Sequence, residues 1–247
     1  MGVMIVTGAG RGIGAAIARM AGERGYAVAV NYSRARDKAE AVAKGIRDKG
    51  GKAIAVQADV ADEAQVKAMF ARVDAELGPL TALVNNAGID YESLVADAEV
   101  AGIQRVLGVN VVGLIVASRE ALRRMSTARG GKGGVIVHIG SVSARTGGLP
   151  KDCVYTASKG AVDAFTHALS NEVAREGVRV CCVRPGLTQT EIFDSNLGLA
   201  HVQELARKNV PVGRIGQPEE VAAATLWLCS DEAAYVTGFT LDVSGGR

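Results

Sequence analysis

Short apolar runs alternate with amphipathic stretches along most of the chain. Val3 to Thr7 is an apolar run of strand length, and a glycine-rich turn follows it at once. Past that turn Ile13, Ile17 and Met20 return to one helical face, and Gly25 stops the pattern. Ala27 to Tyr32 predicts a second strand; Ala39, Val42, Ala43 and Ile46 form a helical stripe closed by Gly50-Gly51; Ala53 to Gln57 predicts a third strand. Val66, Met69, Phe70, Val73 and Leu77 give a helix face that ends at Gly78-Pro79. Leu83 and Val84 sit in a fourth strand, a long helix covers about 98 to 127, and Gly134 to Ile139 is a fifth strand. Val154 to Arg175 reads as helix and Val178 to Val183 as a sixth strand, stopped by Pro185-Gly186. An irregular stretch to about Ala200 leads into a short helix, Pro218 opens another that runs to about Cys229, and Phe239 to Val243 makes a seventh strand.

Strands separated by helix-length segments need crossover connections, and those build a parallel sheet covered on both faces. The reading is α/β: a single doubly wound domain over residues 1–247, with seven parallel strands and no linker, low-complexity tract or second core.

Composition narrows the function. Lys and Arg number 28 against 26 Asp and Glu, a net charge of +2, so no basic field for nucleic acid exists. Aromatic residues are 4%, too few for a base-stacking platform. No unbroken run of eighteen apolar residues predicts a membrane span. The first residues enter an apolar strand without a basic flank or cleavage site, so no signal peptide is expected. Cys153, Cys181, Cys182 and Cys229 form no C-x-x-C pair, and adjacent Cys181 and Cys182 would point to opposite faces of a strand. A reduced, cytoplasmic globule is the expectation.

The 31 glycines are unusually many, and their placement carries chemistry. Gly8, Gly10, Gly12 and Gly14, with Arg11 and Ile13 between them, lie directly between the first strand and the first helix. A dinucleotide pyrophosphate meets the positive end of a helix there, and a Cβ would hold the backbone away from it. The end of the second strand sets the nucleotide. NAD enzymes usually place a carboxylate there for the ribose hydroxyls. Here the segment runs Tyr32-Ser33-Arg34, with no acid before Asp37. Ser33 can donate a hydrogen bond to a 2′-phosphate, and Arg34 and Arg11 can supply charge and a planar fork. NADP(H) is therefore expected ahead of NAD(H).

Tyr155 and Lys159 are four apart at the start of a predicted helix and share one face. A phenol titrates near pH 10, and a neighbouring ammonium is expected to pull that value toward neutrality, making the group a usable acid or base. Ser141 sits at the carboxyl end of the fifth strand, where open α/β sheets place reactive groups. Its hydroxyl could hold a substrate oxygen beside Tyr155. Asn110, inside the long helix, competes with helical hydrogen bonding and marks a local distortion with a water attached.

With these residues in view, the chain resembles the short-chain dehydrogenase/reductases, in the manner of 3-oxoacyl-carrier-protein reductases and sugar dehydrogenases, over essentially its whole length. Thr7 to Gly14 matches the family's T-G-x-x-x-G-x-G, Asn85 to Gly88 its N-N-A-G, Tyr155 to Lys159 its Y-x-x-x-K, and Pro185-Gly186 its P-G. The resemblance implies a Rossmann-type fold and hydride transfer between a nicotinamide cofactor and a carbonyl or alcohol. It implies that Tyr155 is the general acid/base, that Lys159 binds the nicotinamide ribose, that Ser141 positions the carbonyl, and that Asn110 holds a relay water. By the same resemblance Asp59 and Val60 meet adenine, Asn86, Ala87, Gly88, Pro185 and Gly186 border the cofactor, and Thr188 and Thr190 meet the nicotinamide amide and phosphates. The Ser141–Tyr155 spacing is one residue longer than the family's usual one, which leaves Ser143 as the competing serine; a one-residue insertion in a loop costs little. Two other functions compete: an NAD-linked polyol or sugar dehydrogenase, and a non-catalytic NADP(H)-binding sensor.

Other residues read as structural. His138 is a packed strand side chain without a metal-ligand neighbour, and His167 and His201 have no visible partner. Trp227 is expected in the core, and Cys153 could line the substrate pocket. Arg123, Arg124, Arg129 and Lys132 read as a solvated helix end, with an acidic carrier-protein dock as the lesser reading. The expected pocket walls, Tyr91 to Ala98, Val142 to Val154 and Leu187 to Ala200, define no single substrate group. The resemblance implies a homotetramer, with the long helix and the Tyr155 helix in one interface and Phe239 to Val243 near another.

Overall fold

The computed structural model describes residues 2–190 and 199–247. Seven strands, β1 (Val3–Val6), β2 (Ala27–Tyr32), β3 (Ala53–Gln57), β4 (Ala82–Asn85), β5 (Gly134–Ile139), β6 (Val178–Pro185) and β7 (Thr240–Val243), form one sheet in the order β3-β2-β1-β4-β5-β6-β7. Every pairing is parallel. The helices are α1 (Gly12–Glu23), α2 (Arg36–Asp48), α3 (Glu63–Glu76), α4 (Val100–Leu107), α5 (Leu114–Met125), the single turn α6 (Ser143–Thr146), α7 (Cys153–Val173), α8 (Leu199–Asn209) and α9 (Pro218–Leu228).

The period-2 alternation of strand side chains divides the interior into two cores. Met4 and Val6 of β1 join α1, α2 and α9 through Ile17, Val42 and Leu226. Val3 and Ile5 of the same strand join α3, α5 and α7 through Phe70, Met125 and Leu169. Both faces are covered, so β1 and the first four residues of β2 are apolar and buried without alternation, as their runs predicted. Cys181 and Cys182 fall on opposite sides of this division, and all four thiols are free.

Local chemistry fixes the helix starts. Asp62 caps α3 by accepting from Ala64 N at 2.9 Å and Gln65 N at 3.1 Å. Gln217 and Glu220 form a capping box on α9, with Pro218 at its first turn.

Three differences from the sequence pattern stand out. The long helix expected over 98–127 is broken into α4 and α5 by a π-helical turn, Gly108–Gly113. The turn α6 was not foreseen. Trp227 is not in the core: Val221, Ala222, Thr225, Leu226 and Leu228 occupy the inward face of α9, and the indole is left 37% exposed. The stretch at 191–198, Phe193 included, lies outside the described residues, as does the side chain of His201.

Val100–Met125 is also long and apolar enough, at a mean hydropathy of 1.8, to cross a membrane by composition alone. In the fold it packs against α3, α7 and the sheet.

The π turn lies close to the loop after β3. A Cβ on Gly113 would stand 2.6 Å from Val60 O and 2.8 Å from Val60 C, a collision with backbone. Alanine ordinarily favours a helix over glycine by about 1 kcal/mol. Overpacking costs about 1–3 kcal/mol. Gly113→Ala is therefore expected to lower the unfolding temperature, and a thermal melt showing an increase would contradict this packing.

Candidate active site

The strand order changes direction at β1, which has β2 on one side and β4 on the other. The chain leaves β1 toward α1 on one face and leaves β4 toward α5 on the other, so a crevice opens beyond the carboxyl ends of these strands. It is a cleft of about 920 Å³. The turn after β1 lines it with Gly8, Gly10, Arg11, Gly12, Ile13 and Gly14. The end of β2 adds Tyr32, Ser33 and Arg34; the loop after β3 adds Asp59 and Val60; the loop after β4 adds Asn86, Ala87 and Gly88. Ser141, Tyr155, Lys159, Pro185, Gly186, Thr188 and Thr190 complete it. Every cofactor-binding residue expected from the sequence thus borders one space.

The glycine turn is built to leave room. Gly8 and Gly12 have φ of +62° and +53°, which side chains rarely adopt. A Cβ on Gly14 would stand 2.6 Å from Gly8 O, so the turn closes only without one. Thr7 and Asn86 hold it in place. Thr7 Oγ1 accepts from Asn86 N and Ala87 N at 2.9 Å each, while Asn86 Nδ2 donates to Thr7 O at 2.9 Å and Gly8 O at 3.1 Å. Asn31, buried at the end of β2, accepts from Gly8 N at 3.1 Å and donates to Val56 O and Ala58 O. The first turn of α1 has neither a side-chain cap nor an acid, so its positive end faces the cleft. These residues fit a dinucleotide: a phosphate-sized opening at a helix N-terminus, with Arg11 and Arg34 on its rim.

Ser141 decides the geometry at the opposite end. Its Oγ accepts from Ser143 Oγ at 2.7 Å and Ser143 N at 3.2 Å, and it borders the cleft together with Tyr155, whose phenol pKa its hydroxyl acts to lower. Ser143 is the buried supporter, and Ser141 is the serine that meets the tyrosine. Lys159 Nζ donates to Ile139 O at 2.8 Å and stands 5.6 Å from the centre of the Tyr155 ring. Burial pulls the lysine down to about 8, against the opposing influence of Cys182 and Asp163. The tyrosine moves the other way from expectation. Its low-polarity surroundings push it up to about 12, the Ser141 hydrogen bond works against this, and Asp90 and Asp152 add to it. The lysine ammonium is spent on a backbone carbonyl beside the ring, so it does not overcome the desolvation of the phenol.

Asn110 lies in the π turn, as the helix distortion predicted, but it is buried behind the cleft wall instead of lining it. His138 is fully buried, with Ser118 Oγ at 3.2 Å, Thr166 Oγ1 at 2.8 Å and Phe165 stacked on the ring, and burial holds it down to about 3. It is a packed, neutral side chain. Among the described residues no group of His, Cys, Asp and Glu could hold a metal. Cys153 is exposed and does not border the cleft.

Sequence reasoning missed a feature of the substrate end. Asp90, Glu92 and Asp152 all border it, and burial chiefly raises the carboxyls of Asp90 and Asp152, with mutual repulsion adding to the effect. These acids come from two loops that pair through Ser93 N and Lys151 O at 3.1 Å. No local motif links them, which is why the pattern along the chain did not reveal the cluster. The basic residues near the end of α5 are elsewhere. Arg123 and Arg124 are paired with Glu120, and Arg124 also with Asp74, at the sheet edge where β5 begins. Tyr155 is at the opposite edge.

Comparison with known proteins agrees with this architecture. A family model described as enoyl-(acyl carrier protein) reductase matches residues 8–247. An uncharacterized oxidoreductase, YgfF, of Escherichia coli is 46% identical over 100% of both chains. The 3-oxoacyl-[acyl-carrier-protein] reductase FabG of Staphylococcus aureus is 37% identical, over 98% of this chain and 96% of that protein. A short-chain dehydrogenase from Burkholderia cenocepacia, solved in complex with NADP, superposes with a TM-score of 0.91 at 36% identity, covering 98% of this chain and 96% of that one. Glycine turn, N-N-A-G loop, strand-end serine and Y-x-x-x-K helix converge on one cleft in a chain that matches these relatives end to end, and the protein belongs to the short-chain dehydrogenase/reductase family of oxidoreductases.

Proposed function

We propose that the protein is an NADP(H)-dependent reductase of small-molecule carbonyls, with Tyr155 as its general acid/base. What supports this reading is the meeting of Tyr155, Ser141 and Lys159 at one end of a cleft whose other end is an open helix N-terminus flanked by Arg11 and Arg34. Arg11, Ser33 and Arg34 take the 2′-phosphate, Gly12 to Gly14 the pyrophosphate, and Asp59 and Val60 the adenine. Lys159 holds the nicotinamide ribose, with Thr188 and Thr190 over the phosphates and amide. A nicotinamide cofactor held there would supply the hydride for the carbonyl carbon. Tyr155 delivers a proton to the carbonyl oxygen, Ser141 hydrogen-bonds that oxygen as charge builds on it, and Lys159, with a relay water at the Asn110 turn, returns a proton to the phenol. In the reverse direction Tyr155 accepts the alcohol proton.

The acids at the substrate end disfavour a negative group there and favour neutral or cationic carbonyls. They also weigh against a carrier-protein-bound thioester, because the paired arginines of α5 lie at the wrong edge to receive an acidic partner. Exposed Leu107, Val112 and Ile115 on the long helix, and Phe239, Tyr235 and Trp227 around β7, are the faces through which a homotetramer would form. The free thiols fit a reducing, cytoplasmic setting.

Tyr155→Phe is expected to lower turnover by about a hundredfold or more, while NADPH binding followed by fluorescence stays within about twofold. Retained turnover would refute the role. Arg34→Glu should cost at least about tenfold in NADPH affinity and spare NADH; an unchanged NADPH/NADH ratio would contradict the phosphate site. For reduction, the phenol stays protonated across the working range, and the lysine loses its proton as pH rises through about 8. The kcat/KM profile should therefore be flat below neutrality and fall above that value. A profile rising with pH would exclude the assignment.

A further inference from the structure

The π turn leaves a buried amide whose every hydrogen-bonding group is committed, and its last partner is a residue with no role above. Asn110 Oδ1 accepts from Ile89 N at 2.9 Å, and Nδ2 donates to Ile89 O at 2.9 Å and to Ser158 Oγ at 3.0 Å. Ser158 Oγ gives its own hydrogen to Tyr155 O at 2.6 Å. Since that hydroxyl proton is used, Ser158 meets the amide as an acceptor only, which fixes which end of the Asn110 side chain is nitrogen. The run Ile89–Asn110–Ser158–Tyr155 therefore has one consistent direction, with no group left over.

Three separate elements are joined by it: the loop after β4, the π turn, and the first turns of α7. Both Asn110 and Ser158 are almost fully buried, at 1% and 0% exposure, so water cannot replace a missing partner. The run passes beside the lysine as well. A Cβ built on Gly88 would stand 3.5 Å from both Asn110 Oδ1 and Lys159 Nζ. A π turn is ordinarily less favourable than a continued α-helix, and it needs a local reason to persist. An amide clamped at three points supplies one. With the clamp in place, the backbone carrying Tyr155 cannot rotate about the axis of α7 without breaking the bond to Asn110.

We infer that Ser158 is a positioning residue for the reaction: it locks the Tyr155 turn of α7 to the Asn110 π turn and thereby sets the phenol against Ser141 and Lys159. This rests on the reading of Tyr155 as the proton donor. It touches neither substrate nor cofactor, and acts only through its two neighbours.

Ser158→Ala removes the acceptor and keeps the helix former. Turnover, measured with the best carbonyl found by NADPH oxidation, is expected to fall about tenfold while the NADPH dissociation constant stays within about twofold. The cycle with Asn110→Ala separates positioning from general weakening: the double variant should be no slower than Asn110→Ala alone, because both changes break one linkage. Hydrogen exchange supplies a readout independent of turnover, with the peptide containing Ile89 exchanging faster in Ser158→Ala and the β5 peptide unchanged. Turnover within twofold of the parent, multiplicative losses in the double variant, or unchanged exchange at Ile89 would each overturn the inference. Tyr155→Phe, assayed alongside, distinguishes the two failures. If it keeps its turnover, the proton-donor reading falls; if it is inactive while Ser158→Ala is normal, only the present inference does.

Discussion

The reversal of strand order at β1 is the constraint on which the site depends. A parallel sheet whose neighbouring strands leave toward opposite faces must open between them, and no side chain from either loop needs to be held apart to keep it open. Everything chemical in the cleft is then placed by short connections from strand ends. The first glycine of the turn is two residues past β1, Asn86 one past β4, and Ser141 two past β5. Thr7, Asn31 and Asn86 bind the backbone of that turn with their side chains, so its shape is fixed by hydrogen bonds made before any ligand arrives. The phosphate end is rigid because its polar groups are already used on the protein, except for the amides at the start of α1.

The two ionisable groups at the other end are governed by burial. It is the chief reason that the lysine lies at about 8 and the tyrosine at about 12, so each is pushed toward its neutral form. A phenol that keeps its proton this firmly is suited to hold it until negative charge develops on a substrate oxygen. The Ser141 hydroxyl, held in turn by Ser143, opposes the rise. Asp90 and Asp152 of the acidic wall strengthen the hold. Charge of opposite sign lines the two ends of one cleft, Arg11 and Arg34 at one and Asp90, Glu92 and Asp152 at the other, and on the proposed function this would turn phosphates toward the arginines.

Much of this was legible along the chain because it is encoded locally. β2, β3 and β5 begin and end where their apolar runs do. The glycine turn, the strand-end serine and the Tyr155–Lys159 face are each spelled within a few residues. Asn110 announced the π turn, since an amide in a buried helical stretch has to be satisfied somewhere. What was not legible depends on contacts between distant segments. The position of Trp227 follows from which face of α9 the sheet already fills. The acidic wall is assembled from two loops some sixty residues apart in sequence, Asp90 and Asp152. The direction of the Tyr155 shift depends on where the Lys159 ammonium is spent, and that is a carbonyl on β5 twenty residues away. Residue spacing can place a lysine beside a phenol, but the acceptor it finds is a property of the packed structure.

On the proposed function one cleft would seat a dinucleotide with its reactive ring against Tyr155. A crystal structure of the protein soaked with NADPH tests this most directly. The pyrophosphate is expected at the first turn of α1, the 2′-phosphate between Arg11 and Arg34, and the nicotinamide ribose within hydrogen-bonding distance of Lys159 and Tyr155. A cofactor bound with its nicotinamide turned away from Tyr155, or its 2′-phosphate remote from both arginines, would contradict it.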